Sequence, residues 1–146
     1  MRLGVLGLAT LSVLAIGYEL FAERHWNGAL QLIPWVVLVV LAAAIALAFA
    51  ARRVAVLAAR LLAVVALLAS GFGIYEHTAG NYRGGELDAS YSSSWETMSP
   101  TSKVLLAVTK SVGANPPIAP GALGQTGLLV LLATVGRGRK RVSSEN

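Results

Sequence analysis

The side chains best suited to chemistry fall into two groups. One is Tyr18-Glu19 followed by Glu23-Arg24-His25-Trp26; the other is Tyr75-Glu76-His77 followed by Asn81, Glu86 and Asp88. Together they hold both histidines and five of the seven carboxylates in the chain. Two imidazoles with carboxylate oxygens form a donor set for Zn²⁺, Mn²⁺, Cu²⁺ or non-haem iron, and a histidine pair could instead hold a haem. The candidate metal ligands are therefore His25, His77, Glu23, Glu76 and Glu86, with Asp88 behind them. This site requires the two groups to meet in space. Glu19 and Glu23 are four apart and share a helix face if the first helix extends that far. No compact ligand motif such as H-x₃-H occurs. The competing reading makes both histidines interfacial residues that bond loop backbone, with Glu23 and Arg24 a solvated ion pair, and this bland reading carries more weight.

Other chemistries lack their residues. There are no cysteines, which excludes disulfides, thiolate metal sites and cysteine catalysis. Ser90 and Ser92 to Ser94 lie in no G-x-S-x-G context. No phosphate-binding loop, dinucleotide fingerprint or zinc-protease helix is present. No cofactor is required by the sequence; a metal ion is the one it could hold.

The elements that must position these residues are apolar. Of 146 residues, 55% are hydrophobic and 13% charged, about half the charged share of a soluble domain. Long Ala/Val/Leu/Ile runs alternate with short polar connections, the pattern of membrane-spanning helices. Spans are expected at about 3–22, 30–51, 54–75 and 118–135. The first rises roughly 28 Å, close to the hydrocarbon thickness. A single arginine before it and Leu20-Phe21-Ala22 after it argue against a cleaved leader. Pro34 is expected in the first turn of the second span, and Arg52-Arg53 in a tight hairpin before the third. Arg60 can snorkel back to the same headgroups. The last run is short and leans on Ile118 and Ala119.

Residues 76–117 differ in character, with Gly, Ser, Asn, Tyr and four of the seven acidic residues. Within this loop Ser99-Pro100 reads as an N-cap followed by proline at the first helical position. Thr101 to Val112 then places Val104, Leu105 and Val108 on one face, a short amphipathic helix on the membrane surface or over the bundle. The expected fold is an all-α membrane protein: one domain, 1–136, of about four antiparallel transmembrane helices, with an extracytoplasmic loop and a basic cytoplasmic tail, 137–146.

Orientation follows from charge. One side would hold eight Lys/Arg (Arg2, Arg52, Arg53, Arg60, Arg137, Arg139, Lys140 and Arg141) and the other four (Arg24, Arg83, Lys103 and Lys110). The positive-inside rule puts the eight, and both termini, in the cytoplasm. Trp26, Trp35, Trp95, Tyr18, Tyr75, Tyr82 and Tyr91 map to the outer side, so extra structure is expected there. The net charge of +5 is thus topological, and no basic, aromatic-interleaved face indicates nucleic acid.

Lipid gives no hydrophobic drive for helix association, so small residues must supply close packing. The candidate ridges are Ala42, Ala46 and Ala50; Ala59, Ala63, Ala66 and Ser70; and Gly121, Gly124 and Gly127. Few ionisable residues lie in the spans, which argues against an ion-coupled carrier.

Ile74-Tyr75-Glu76-His77 through Asn81, Glu86-Leu87-Asp88, and Ile118-Ala119-Pro120-Gly121-Ala122-Leu123 resemble a group of small uncharacterised bacterial inner-membrane proteins with four predicted spans. The resemblance covers roughly the second half of the chain. It implies a multi-pass protein with His77, Asn81 and Glu86 beside the membrane, and no assigned activity. The functional expectation is a non-enzymatic accessory or structural component of a bacterial inner membrane. Its partners would be the lipid bilayer and a membrane protein or further copies of itself. The alternative is an outer-face metal- or haem-binding protein.

Overall fold

The structure, a computed structural model, describes residues 1–50 and 52–137. The basic tail expected at 137–146 therefore lies, apart from Arg137, outside the described residues. Among the described residues there are five α-helices and no strands: α1 (Arg2–Ala22), α2 (Ala29–Phe49), α3 (Arg53–Gly84), α4 (Pro100–Val108) and α5 (Gly121–Thr134), with a 3₁₀ turn at Gly85–Leu87. Three of them, α1, α2 and α3, are long and apolar enough to cross a membrane. The fold is all-helical, as a membrane protein of this class requires.

The chain divides into two compact units. The first comprises 1–67 and 123–146. Its core is built from Leu6 and Ala9 of α1, Ala44, Ile45 and Ala48 of α2, Ala59 and Ala63 of α3, and Val130 and Ala133 of α5. Six of these nine are alanine, so the helices approach closely, as van der Waals association in lipid demands. One close approach is at Gly127, where an added Cβ would lie 2.9 Å from the Ala63 carbonyl oxygen. The ridge on α2 differs from expectation: Leu41, Ala44 and Ala48 are buried, whereas Ala42 and Ala46 are exposed. A helix that is apolar all round carries little information about which stripe faces inward.

Helix ends in this unit are closed by side chains as well as backbone. Arg2 donates to the Ala48 carbonyl at the end of α2. Arg60 donates Nε to Thr134 Oγ1 at 3.2 Å and Nη2 to the carbonyls of Thr134 and Arg137. Arg60 thus caps α5, where the terminal carbonyls and helix dipole favour a cation. At the other end of α1, Arg24 adopts φ 51°, with its N–H on Phe21 O and the His25 N–H on Leu20 O. This is the left-handed cap usually given to glycine. Pro34 lies in the second turn of α2, because the helix begins at Ala29.

The second unit comprises 68–122. α3 continues past Tyr75 to Gly84, so the first nine residues of the expected loop are helical. α4 starts where expected: Ser99 Oγ accepts from the Ser102 N–H at 3.2 Å and Pro100 holds the first helical position. It stops at Val108, with Lys110 at φ 57° and the Ser111 N–H on Leu106 O. Trp95, Ala107 and Val112 form a small core, flanked by Tyr82, Tyr91, Met98 and Leu106. Tyr82 meets Trp95 edge-on at 5.8 Å. Gly85 makes room for that indole, since any Cβ there would run into the ring.

Candidate functional site

The most organised polar feature lies along α3 in the second unit. Ser70, Gly73, His77 and Asn81 recur at spacings of three or four, which places them on one helix face. Opposite them runs the segment 113–120, which holds Pro116, Pro117 and Pro120. Prolines lack N–H groups; the Ala119, Gly121 and Ala122 N–H groups serve the carbonyls of Pro116, Ile118 and Ala119, and further donors to Asn115, Pro116 and Pro120 come from outside the strap. The α3 face supplies them. Ser70 Oγ donates to Pro120 O at 2.8 Å, and His77 Nδ1 meets Pro116 O at 2.8 Å. Asn81 Nδ2 donates to Asn115 O at 2.8 Å and to Ala107 O at 3.1 Å, while its Oδ1 accepts the Asn115 N–H at 2.9 Å.

Each partner dictates a chemical state. Pro116 O can only accept, so the proton between the two sits on His77 Nδ1. The Asn81 amide has two carbonyls on its nitrogen and one N–H on its oxygen, which fixes its orientation. Asn81 is fully buried and three of its hydrogen-bonding positions are filled. Glycines let the strap approach: Gly113 has φ 77° and lies against Asn81, and a Cβ on Gly73 would come within 2.8 Å of Pro120 Cβ. The ladder binds main chain to main chain through three side chains. What it does chemically is hold the route into α5.

The sequence-predicted ligands have separate local roles. Glu23 is the C-cap of α1. His25 follows in the turn, and its carbonyl accepts from Trp35 Nε1 at 2.8 Å, while Trp26 packs between Phe21 and Trp35 at centroid distances of 5.7 and 6.5 Å. These belong to the first unit. Glu76, His77, Glu86 and Asp88 belong to the second. Glu76 stands 3.9 Å from Arg83; Glu86 is exposed in the 3₁₀ turn; Asp88 accepts the Ser90 N–H at 3.0 Å, closing a local turn. Among the described residues, no three of His, Asp and Glu gather in an arrangement that could hold a metal ion.

Sequence reasoning found His77 and Asn81 but not their partners, which lie 39 and 26 to 34 residues away. Ser70 was legible only as a small packing residue. The signal that could have revealed the ladder is the coincidence of a polar stripe on an apolar helix with a proline-rich segment short of donors. Compared with protein-family models, curated proteins and solved structures, the chain matches none.

Proposed function

We propose that this chain is a non-enzymatic component of a bacterial inner membrane that acts through contact with other membrane molecules. The observation that carries the reading is the commitment of its polar side chains. Ser70, His77, Asn81, Arg60 and Arg2 all engage backbone carbonyls, so these polar side chains serve architecture. Outward, α1 offers Leu3, Leu8, Leu11 and Leu14, each more than half exposed, a surface suited to lipid or a partner helix.

The topology we assign has four crossings with both termini in the cytoplasm. At 1.5 Å per residue, α5 rises only about 21 Å, some 9 Å short of the ~30 Å hydrocarbon core. Strap residues 118–120 make up the difference, and Ser70 satisfies Pro120 O there: non-helical backbone at membrane depth survives only where its polar groups are satisfied. α3, at about 48 Å, exceeds the core by about 18 Å, which fits Glu76–Gly84 projecting on the outer side.

Photo-crosslinkers at Leu11 and Leu14, introduced in native membranes, test the reading. A discrete protein adduct, or a dimer of the chain, is the expected result. Lipid adducts alone, together with stoichiometric metal that disappears from a His25→Ala/His77→Ala variant, would overturn it in favour of the metal-binding alternative.

A further inference from the structure

The second unit has a feature that the ladder does not use. α3 and α4 leave an open groove of about 350 Å³ lined by Tyr75, Thr78, Ala79, Tyr82, Arg83 and Val104. Its wall is mostly aromatic ring and aliphatic carbon, and Val104 joins it to the apolar face of α4, where Val104, Leu105 and Val108 are 48%, 62% and 41% exposed. That face was expected to be apolar; its exposure within the unit shows that α4 packs inward by Ala107 and leaves the larger side chains outside.

The groove has a cationic end. Arg83 is 68% exposed, and the nearest carboxylate, Glu76, is 3.9 Å away, beyond hydrogen-bond distance. Lys103 lies outside the lining, its ammonium 5.6 Å from the centroid of Trp95. Of the other acidic groups in the unit, Asp88 is engaged with the Ser90 backbone, while Glu86 and Glu96 are exposed and line no part of the groove.

We infer that this groove binds a single anionic phospholipid, with an acyl chain along Tyr75, Ala79 and Val104 and the phosphate on the Arg83 guanidinium. Both halves of the ligand find complementary chemistry. A planar guanidinium forks onto phosphate oxygens better than any other side chain, and tyrosines with an apolar body and a polar tip suit headgroup depth. A free phosphate would leave the apolar wall unused. The inference rests on the membrane reading above.

Native mass spectrometry of the detergent-released protein tests it, with phosphatidylglycerol and the phosphate-free diacylglycerol as competing probes. Retention of one phosphatidylglycerol per chain, preferred by about tenfold, is the expected result for one charge-assisted contact pair. Arg83→Gln should reduce that preference to near parity, and Val104→Glu should weaken retention of both lipids. Arg24→Gln, outside the groove, should change neither. An unaltered preference in Arg83→Gln would overturn the inference. So would equal competition by glycerophosphoglycerol, the deacylated headgroup, because it would show an anion site that ignores the tail. Extraction of the chain by alkaline carbonate without detergent would instead refute the membrane reading on which the inference depends.

Discussion

Replacing Asn81 with alanine removes three hydrogen bonds at once from a fully buried side chain, two of them to Asn115, which is itself exposed. The groups left behind are the Ala107 and Asn115 carbonyls and the Asn115 N–H. A net hydrogen bond contributes about 1 kcal/mol, and a buried group left without a partner costs roughly 1–3 kcal/mol. The carbonyls of Ala107 and Asn115 can recover part of this by admitting water, so a total of about 3–4 kcal/mol is expected rather than the full sum. At 1.4 kcal/mol per decade, local opening of the strap should become about two to three orders of magnitude more frequent. Amide hydrogen exchange in nanodiscs reads this directly: protection over 109–120 should fall by that factor while α1 and α2 keep theirs. Asn81→Asp separates hydrogen bonding from shape. The aspartate retains an acceptor for the Asn115 N–H but turns its second oxygen toward two carbonyls, so it should be at least as damaging as alanine. The reasoning fails if Asn81→Asp exchanges like the parent chain, or if Asn81→Ala changes strap protection by less than about threefold.

Three further outcomes follow from the helix contacts. Gly127→Ala places a Cβ 2.9 Å from Ala63 O and should cost about 1–3 kcal/mol through forced separation of α3 and α5; Gly121→Ala, whose Cβ would meet only Ile118 Cγ2 at 3.9 Å, should stay within about 0.5 kcal/mol, both read by thermal unfolding in detergent. Arg60→Met removes the cation and donors that close α5 and should lower stability by about 2 kcal/mol, with Arg60→Lys restoring only part because one ammonium cannot replace the fork. Lys110→Gly relieves a left-handed residue at φ 57° and should raise the melting temperature, by the equivalent of about 1 kcal/mol.

The sequence was most informative about length and termini. The apolar runs place α1 and α2 within a few residues, and Ser99-Pro100 marks the start of α4 because capping is a local interaction. It was less informative about rotation. α2 reads as apolar on every side, so the ridge of Ala42, Ala46 and Ala50 looked as good as the buried set of Leu41, Ala44 and Ala48. The end of α3 was missed for a different reason: Glu76-His77-Thr78 signals the loss of apolar character, and polarity was taken to end the helix as well as the span. Helix propensity in that stretch is ordinary, and the ladder and the Trp95 core supply the tertiary support that carries it on to Gly84. For the candidate residues, type and depth were legible but partners were not. A histidine next to a glutamate is the same text whether its imidazole faces a metal or a proline carbonyl; which one it meets depends on a strap 39 residues downstream.

The cap that Arg60 places on α5 also sets a schedule. Its acceptors on Thr134 lie 74 residues further along the chain, and at synthesis rates of about 5–20 residues per second they emerge roughly 4–15 s later. Through that interval the guanidinium has none of these native acceptors and must remain hydrated at the edge of the bilayer. Arrival of α5 both fills the gap lined by Ala59 and Ala63 and satisfies the waiting charge, so α5 locks the bundle. A chain cut short before Thr134 would reach the membrane with that lock open, carrying a mark by which quality control could tell unfinished protein from finished.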